Sequence, residues 1–215
     1  MKDCKILSVH PKSPNRGIIG KAAALVKKGG LVVFPTSSFY GLGTDAFNAE
    51  TLAKVFRIKN RDLKKPLLIL IAGMAELAPL VRSIPKTATL LIEAFWPGEL
   101  TLVFHAADLL PCELTGDTEQ IGIRLAAHPV ACSLVKAVGG PITGTSANLS
   151  GKGGCTAVTQ MDHQITDQVD LVLDAGTLGE KKESTVVDVT VTPPKILRSG
   201  MIDAKRIWTA LQIER

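Results

Sequence analysis

The chain has 215 residues, 46% of them apolar and 4% aromatic, with 25 basic against 20 acidic side chains. That length and apolar share suit one α/β domain with a real core, and they exclude disordered and fibrous classes. No apolar run reaches the roughly 18 residues that cross a bilayer and no uninterrupted signal-peptide core opens the chain, so a cytoplasmic protein without a membrane partner is expected.

Residues 16–28 place Ile18, Ala22, Leu25 and Val26 on one helical face, and Gly29-Gly30 stops that helix. Leu31-Val32-Val33-Phe34 is a continuous apolar run, the mark of a buried strand, closed by Pro35. Asn48 is placed to cap a second helix with Leu52, Val55 and Phe56 inward. Residues 67–72 make another buried strand, followed by short helices at 74–82 and 86–95 and a strand at 100–104. Further strands are expected at 121–125, 141–145, 169–174, 184–190 and 195–198, with helices near 129–138 and 201–212. Helices and strands alternate early and strands crowd late. The pattern predicts a single α/β domain, residues 1–215, with a twisted mixed β-sheet flanked by helices and no additional C-terminal domain.

Cys4, Cys112, Cys132 and Cys155 lack CxxC spacing and read as reduced thiols, so no metal ligands are expected among them. Gly41-Leu42-Gly43-Thr44-Asp45-Ala46 matches GxGxxA, but it stands five residues past the strand and lacks the acidic residue that reads a ribose. Gly144-Thr145-Ser146-Ala147-Asn148 resembles a nucleophile elbow with its last glycine replaced. His128 precedes Pro129 and reads as a turn histidine at a helix start.

Four segments gather small hydroxyls, glycines and cations at strand ends. Residues 35–43 (PTSSFYGLG) follow a strand, where hydroxyls and free amides suit a carboxylate or phosphate. Residues 57–65 hold five cations, with Lys59 and Arg61 sharing a face only where the chain is extended. Residues 141–151 are rich in hydroxyls, and the fourth segment runs from Glu183-Ser184 to Arg198-Ser199-Gly200. Arg124 sits in an otherwise apolar strand, and a buried guanidinium without a partner costs several kcal/mol, so an anionic contact is expected. Taken alone, these residues specify a nucleotide- or polyanion-binding α/β protein, the net charge of +5 agreeing with an anionic ligand.

The order of the segments goes further. FPTSSFYGLG, KNR followed by KPL, WPGELTLV, GIRLAAHP, GTSANLSG, STVVDVT and ILRSG resemble, in sequence, the YrdC-like family of threonylcarbamoyl-AMP synthases. The paired KxR and SxN signature reads Lys59-Asn60-Arg61 and Ser146-Ala147-Asn148.

The resemblance implies that L-threonine, bicarbonate and ATP with Mg²⁺ give threonylcarbamoyl-AMP and pyrophosphate. A downstream threonylcarbamoyl-transferase complex then modifies tRNA. Lys59 and Arg61 are implied as catalytic, and Arg61, Lys65, Ser146, Asn148 and Arg198 as nucleotide-binding. Ser38, Arg124, Gly144 and Ser184 are implied as threonine-binding, while Mg²⁺ arrives with ATP and no residue is assigned to it. Two positions depart from the family pattern: Ser37-Ser38 replaces an acidic residue and threonine, and Leu70 replaces a histidine that helps line the threonine pocket. Two alternatives stay open: a paralogue of the same fold without synthase activity, and a double-stranded RNA-binding or ribosome-associated module. Direct binding of double-stranded RNA or tRNA is left open with them. Two Trp, one Tyr and six Phe offer such a module few stacking platforms.

Overall fold

The computed structural model describes residues 5–179 and 182–213; Cys4 lies outside them. After strand β1 (Lys5–Ser8), helix α1 (Arg16–Lys27) starts where the Asn15 side chain accepts from the amides of Gly17 and Ile18. It buries Ile19, Ala22, Ala23 and Val26 and stops where Gly29 takes φ +76°. Ile18 and Leu25 flank that face rather than centre it.

Strand β2 (Val32–Pro35) is buried along its whole length, as its apolar run predicts. Residues 40–43 differ from the expected loop: they form β3 (Tyr40–Gly43), antiparallel to β2, so only residues 36–39 make the turn. The glycines that mimic a dinucleotide fingerprint are therefore strand residues. A Cβ on Gly43 would lie 2.5 Å from the Phe34 ring, so the strand needs glycine for space.

Helix α2 (Ala49–Lys59) is capped by Asn48 and buries Leu52, Val55 and Phe56. Strand β4 (Leu68–Ile71) follows, and the helix expected at 74–82 is two single 3-10 turns, Met74–Glu76 and Ala78–Leu80. Then come α3 (Lys86–Phe95), β5 (Leu100–His105), a short α4 (Cys112–Thr115) and β6 (Gln120–Leu125). Helix α5 (Pro129–Val138) begins at His128, whose ring accepts from the Val130 amide at 3.2 Å.

The strand expected at 141–145 is two, β7 (Ile142–Thr143) and β8 (Thr145–Ser146), separated by Gly144. The chain closes with α6 (His163–Thr166), β9 (Leu171–Asp174), β10 (Thr185–Asp188), β11 (Lys195–Arg198) and α7 (Ala204–Ala210).

The α/β class and mixed strand directions hold, but the strands divide between two sheets. One runs β1-β9-β2-β3-β8 and the other β11-β10-β5-β6-β4-β7. At Gly144 the chain steps directly from one sheet to the other, since β7 pairs with β4 and β8 with β3. Alternate residues of β2 then serve two cores: Val33 packs with α2 and α3, while Val32 and Phe34 pack with α1 and α5. Among the described residues no helix is long and apolar enough to cross a membrane.

Candidate functional site

A cavity of about 640 Å³ opens where the two sheets meet, and its lining includes residues from all four polar segments. Ser38, Gly41 and Ser146 come from the five-stranded sheet and its hairpin turn, and Arg124, Ser184 and Arg198 from the six-stranded side.

Lys59 ends α2 and is 2% exposed, yet it reaches the cavity wall. Its Nζ donates to the carbonyl of Asn148 at 2.6 Å and to that of Ser146, and its own carbonyl accepts from the Ser150 amide at 2.8 Å. Two donors of the ammonium are thus spent on the 146–150 segment. Burial, with the nearby Arg61 charge, lowers the Lys59 pKa to about 8. Asn60 then adopts the left-handed conformation (φ 48°, ψ 49°), which asparagine tolerates better than most residues. This turn, rather than an extended exit, lifts Arg61 out of the helix.

The Arg61 guanidinium donates from Nη2 to the Pro66 carbonyl at 2.8 Å and from Nε to that of Lys65 at 3.2 Å. Desolvation lowers its pKa, with the nearby Asp62 charge opposing that. Lys65 and Ser146 also line the cavity. Asn148 is 7% exposed; its Nδ2 donates to the Leu149 and Lys152 carbonyls, while Oδ1 is buried without a partner among the described residues.

On the opposite side, Arg124 is 6% exposed. The anionic contact expected for it is internal: Nη2 lies 2.7 Å from Glu99 Oε1, and Nε donates to the Gly98 carbonyl at 2.8 Å. The Ser38 hydroxyl donates to the other Glu99 oxygen. Desolvation lowers the Arg124 pKa, Glu99 counters that, and the nearby Arg198 charge adds to the lowering. Arg198 itself, on the edge strand β11, bonds the Ser184 carbonyl and hydroxyl at 3.1 Å each and pairs with Glu183 at 2.7 Å. Ser184 is buried, with Thr101 Oγ1 3.0 Å from its hydroxyl.

Gly144 lines the cavity, and a Cβ there would fall 2.6 Å from Leu70 Cγ. Leu70 is not among the lining residues: it is buried in the core of α1 and α5 and meets the cavity only through Gly144.

The cavity therefore brings together Ser38, Lys59, Arg61, Lys65, Arg124, Gly144, Ser146, Asn148, Ser184 and Arg198. Glu99 and Thr101, although inside WPGELTLV, carried no signal of their own in the sequence. An acidic residue just ahead of a strand declares a role only once its partners are placed. Chemically, the cleft offers guanidinium groups and hydroxyls to a multiply charged anion, with no side chain set up as a covalent nucleophile.

The Sua5/YciO/YrdC family model, described as Telomere recombination, matches residues 24–200. A curated Pyrococcus abyssi relative named threonylcarbamoyl-AMP synthase is 36% identical over 186 residues, covering 86% of this chain and 55% of its own. The crystal structure of P. abyssi Sua5 complexed with L-threonine superposes with a TM-score of 0.91 at 33% identity, over 96% of this chain and 60% of that one. E. coli YciO superposes with a TM-score of 0.86 at 28% identity, over 95% of this chain and 99% of its own. The chain thus spans little more than half of the P. abyssi protein.

Proposed function

The chain belongs to the Sua5/YciO/YrdC family, and from that premise we propose that it forms threonylcarbamoyl-AMP and pyrophosphate from L-threonine, bicarbonate and ATP. The observation that carries the reading is the convergence of Arg61, Arg124 and Arg198 with Ser38, Ser146 and Ser184 on one cavity of about 640 Å³.

The threonine amine adds to bicarbonate, giving a carbamate and water. A carbamate oxygen then attacks the α-phosphorus, and pyrophosphate leaves. Triphosphate, carbamate and carboxylate crowd several negative charges together, and fixed guanidinium groups offset their repulsion at no cost in reorganisation. Arg61, Lys65 and Arg198 take the phosphates, with Ser146 and Asn148 beside them. Arg124 takes the threonine carboxylate, Ser38 and Ser184 its other polar groups, and Gly144 its main-chain contacts. Lys59 acts on the nucleotide side by shaping the 146–148 segment and adding positive potential. Catalysis is then positioning and electrostatics, with no covalent enzyme intermediate.

The cavity does not offer Mg²⁺ a protein cage. Glu99 and Glu183 are both paired with arginines, and no group of three or more His, Cys, Asp or Glu is disposed for a metal among the described residues. The ion enters only as the partner of ATP. The product is an activated carbamate, and a threonylcarbamoyl-transferase acting on tRNA consumes it.

The test is pyrophosphate release from ATP and bicarbonate, with and without L-threonine, together with mass detection of the adenylate. Release that requires threonine supports the reading; release indifferent to threonine overturns it.

A further inference from the structure

Glu99 contacts two of the side chains assigned above to threonine, Arg124 as an ion pair and Ser38 through a hydrogen bond. It lies 2.7 Å from Arg124 Nη2 and accepts the Ser38 hydroxyl, with its side chain 14% exposed. An ionised carboxylate has acceptors only, so the Ser38 hydrogen must point at Glu99. What Ser38 then presents to the cavity is lone pairs. Arg124 has donors only; Nε is on the Gly98 carbonyl and Nη2 is ion-paired with Glu99, which leaves Nη1 and the second Nη2 hydrogen for a ligand.

We propose that Glu99 is a positioning residue that fixes this polarity, making Ser38 an acceptor and holding the Arg124 guanidinium by one edge. This end of the cavity then reads a hydrogen-bond donor of the amino acid, its ammonium or hydroxyl, beside its carboxylate. The inference rests on the synthase reading, and it differs from a clamp by Arg124 alone because one edge of the guanidinium is already committed. A serine free of Glu99 would turn its hydrogen to suit either kind of ligand group. Held by Glu99, it rejects a ligand that offers only acceptors there.

Glu99→Gln keeps the shape, removes the charge that holds Arg124, and lets an amide donate to Ser38. The threonine KM for adenylate formation should rise about 10-fold while the ATP KM stays within twofold. Glu99→Asp, which keeps the charge on a shorter arm, should fall between the two. In a Ser38→Ala background Glu99→Gln should cost less than it does alone, since the shared hydroxyl is gone. Thermal melts accompany each variant, and threonine binding by calorimetry gives a second readout that does not need turnover.

A threonine KM that stays the same or falls in Glu99→Gln, or an ATP KM that rises equally, overturns the inference and leaves the synthase reading standing. A parent protein that neither binds threonine nor turns it over overturns both.

Discussion

The Lys59 ammonium crosses the wall of the cavity to bond the carbonyl of Asn148, 89 residues later, at 2.6 Å. With its second bond to Ser146, it ties the KxR and SxN tripeptides into one unit. Lys59→Met should therefore leave two carbonyls short of a donor and lower stability by about 1–3 kcal/mol. It should also raise the ATP KM, because the Ser146 wall loses its brace. Urea unfolding and steady-state kinetics check both. Lost stability with an unchanged ATP KM would separate Lys59 from the nucleotide side.

On the proposed function, the same lysine should make ATP binding proton-linked. Its pKa is lowered to about 8 by burial and by Arg61, so near pH 8.5 much of it is neutral. A bound polyanion restores the cation, and protons are taken up. Calorimetry of ATP binding at pH 8.5 in two buffers of different ionisation enthalpy should show uptake that disappears in Lys59→Met. The sign for folding runs the same way: the unfolded lysine holds its proton up to about 10.5 and the folded one only to about 8. Stability should rise with pH across that window, by roughly 3 kcal/mol at most.

Arg61→Ala and Arg198→Ala should each weaken ATP binding about 10- to 150-fold, the worth of a charge-assisted contact of roughly 1.5–3 kcal/mol. Their stabilities should diverge from that pattern. Arg61 spends its guanidinium on the carbonyls of Lys65 and Pro66, so its loss loosens that bend. Arg198 is 42% exposed in its pair with Glu183, and breaking that pair should change the melting temperature little. Wild-type ATP affinity in both variants would remove the phosphates from Arg61 and Arg198.

Gly144→Ala should destabilise by about 1–3 kcal/mol through overpacking against Leu70. Leu70→Ala alone should cost about 2–5 kcal/mol as a core truncation. Together they should cost less than the sum, because each relieves the other. Strict additivity in denaturant unfolding would show that the two side chains do not meet.

Where one segment decides its own structure, the sequence was readable. Asn48 and the Leu52, Val55, Phe56 spacing announce α2, and the apolar run 31–34 announces β2. Tyr40–Gly43 was not readable as a strand, because its glycines serve the Phe34 ring and glycine ordinarily signals a turn. The division at Gly144 stayed hidden for a similar reason, since two-residue strands carry no periodicity. In the cavity, the hydroxyl and cation clusters could be found along the chain. Glu99 could not, since its contact with Ser38 joins residues 61 apart and neither neighbourhood looks unusual alone.

Thr143 belongs to one sheet and Thr145 to the other, so at Gly144 one residue carries the chain from one half of the cavity wall to the other. A substrate lying between Ser146 and Arg124 acts there as mortar, adding non-covalent ties across the seam beside Gly144, where the chain steps straight from one sheet to the other. At 100 times its dissociation constant, such a ligand adds about 2.7 kcal/mol to the folded state. That gain should be concentrated at the seam, with the amides of Gly144 and Ala147 slowing their exchange with deuterium more than those of α1 or α7.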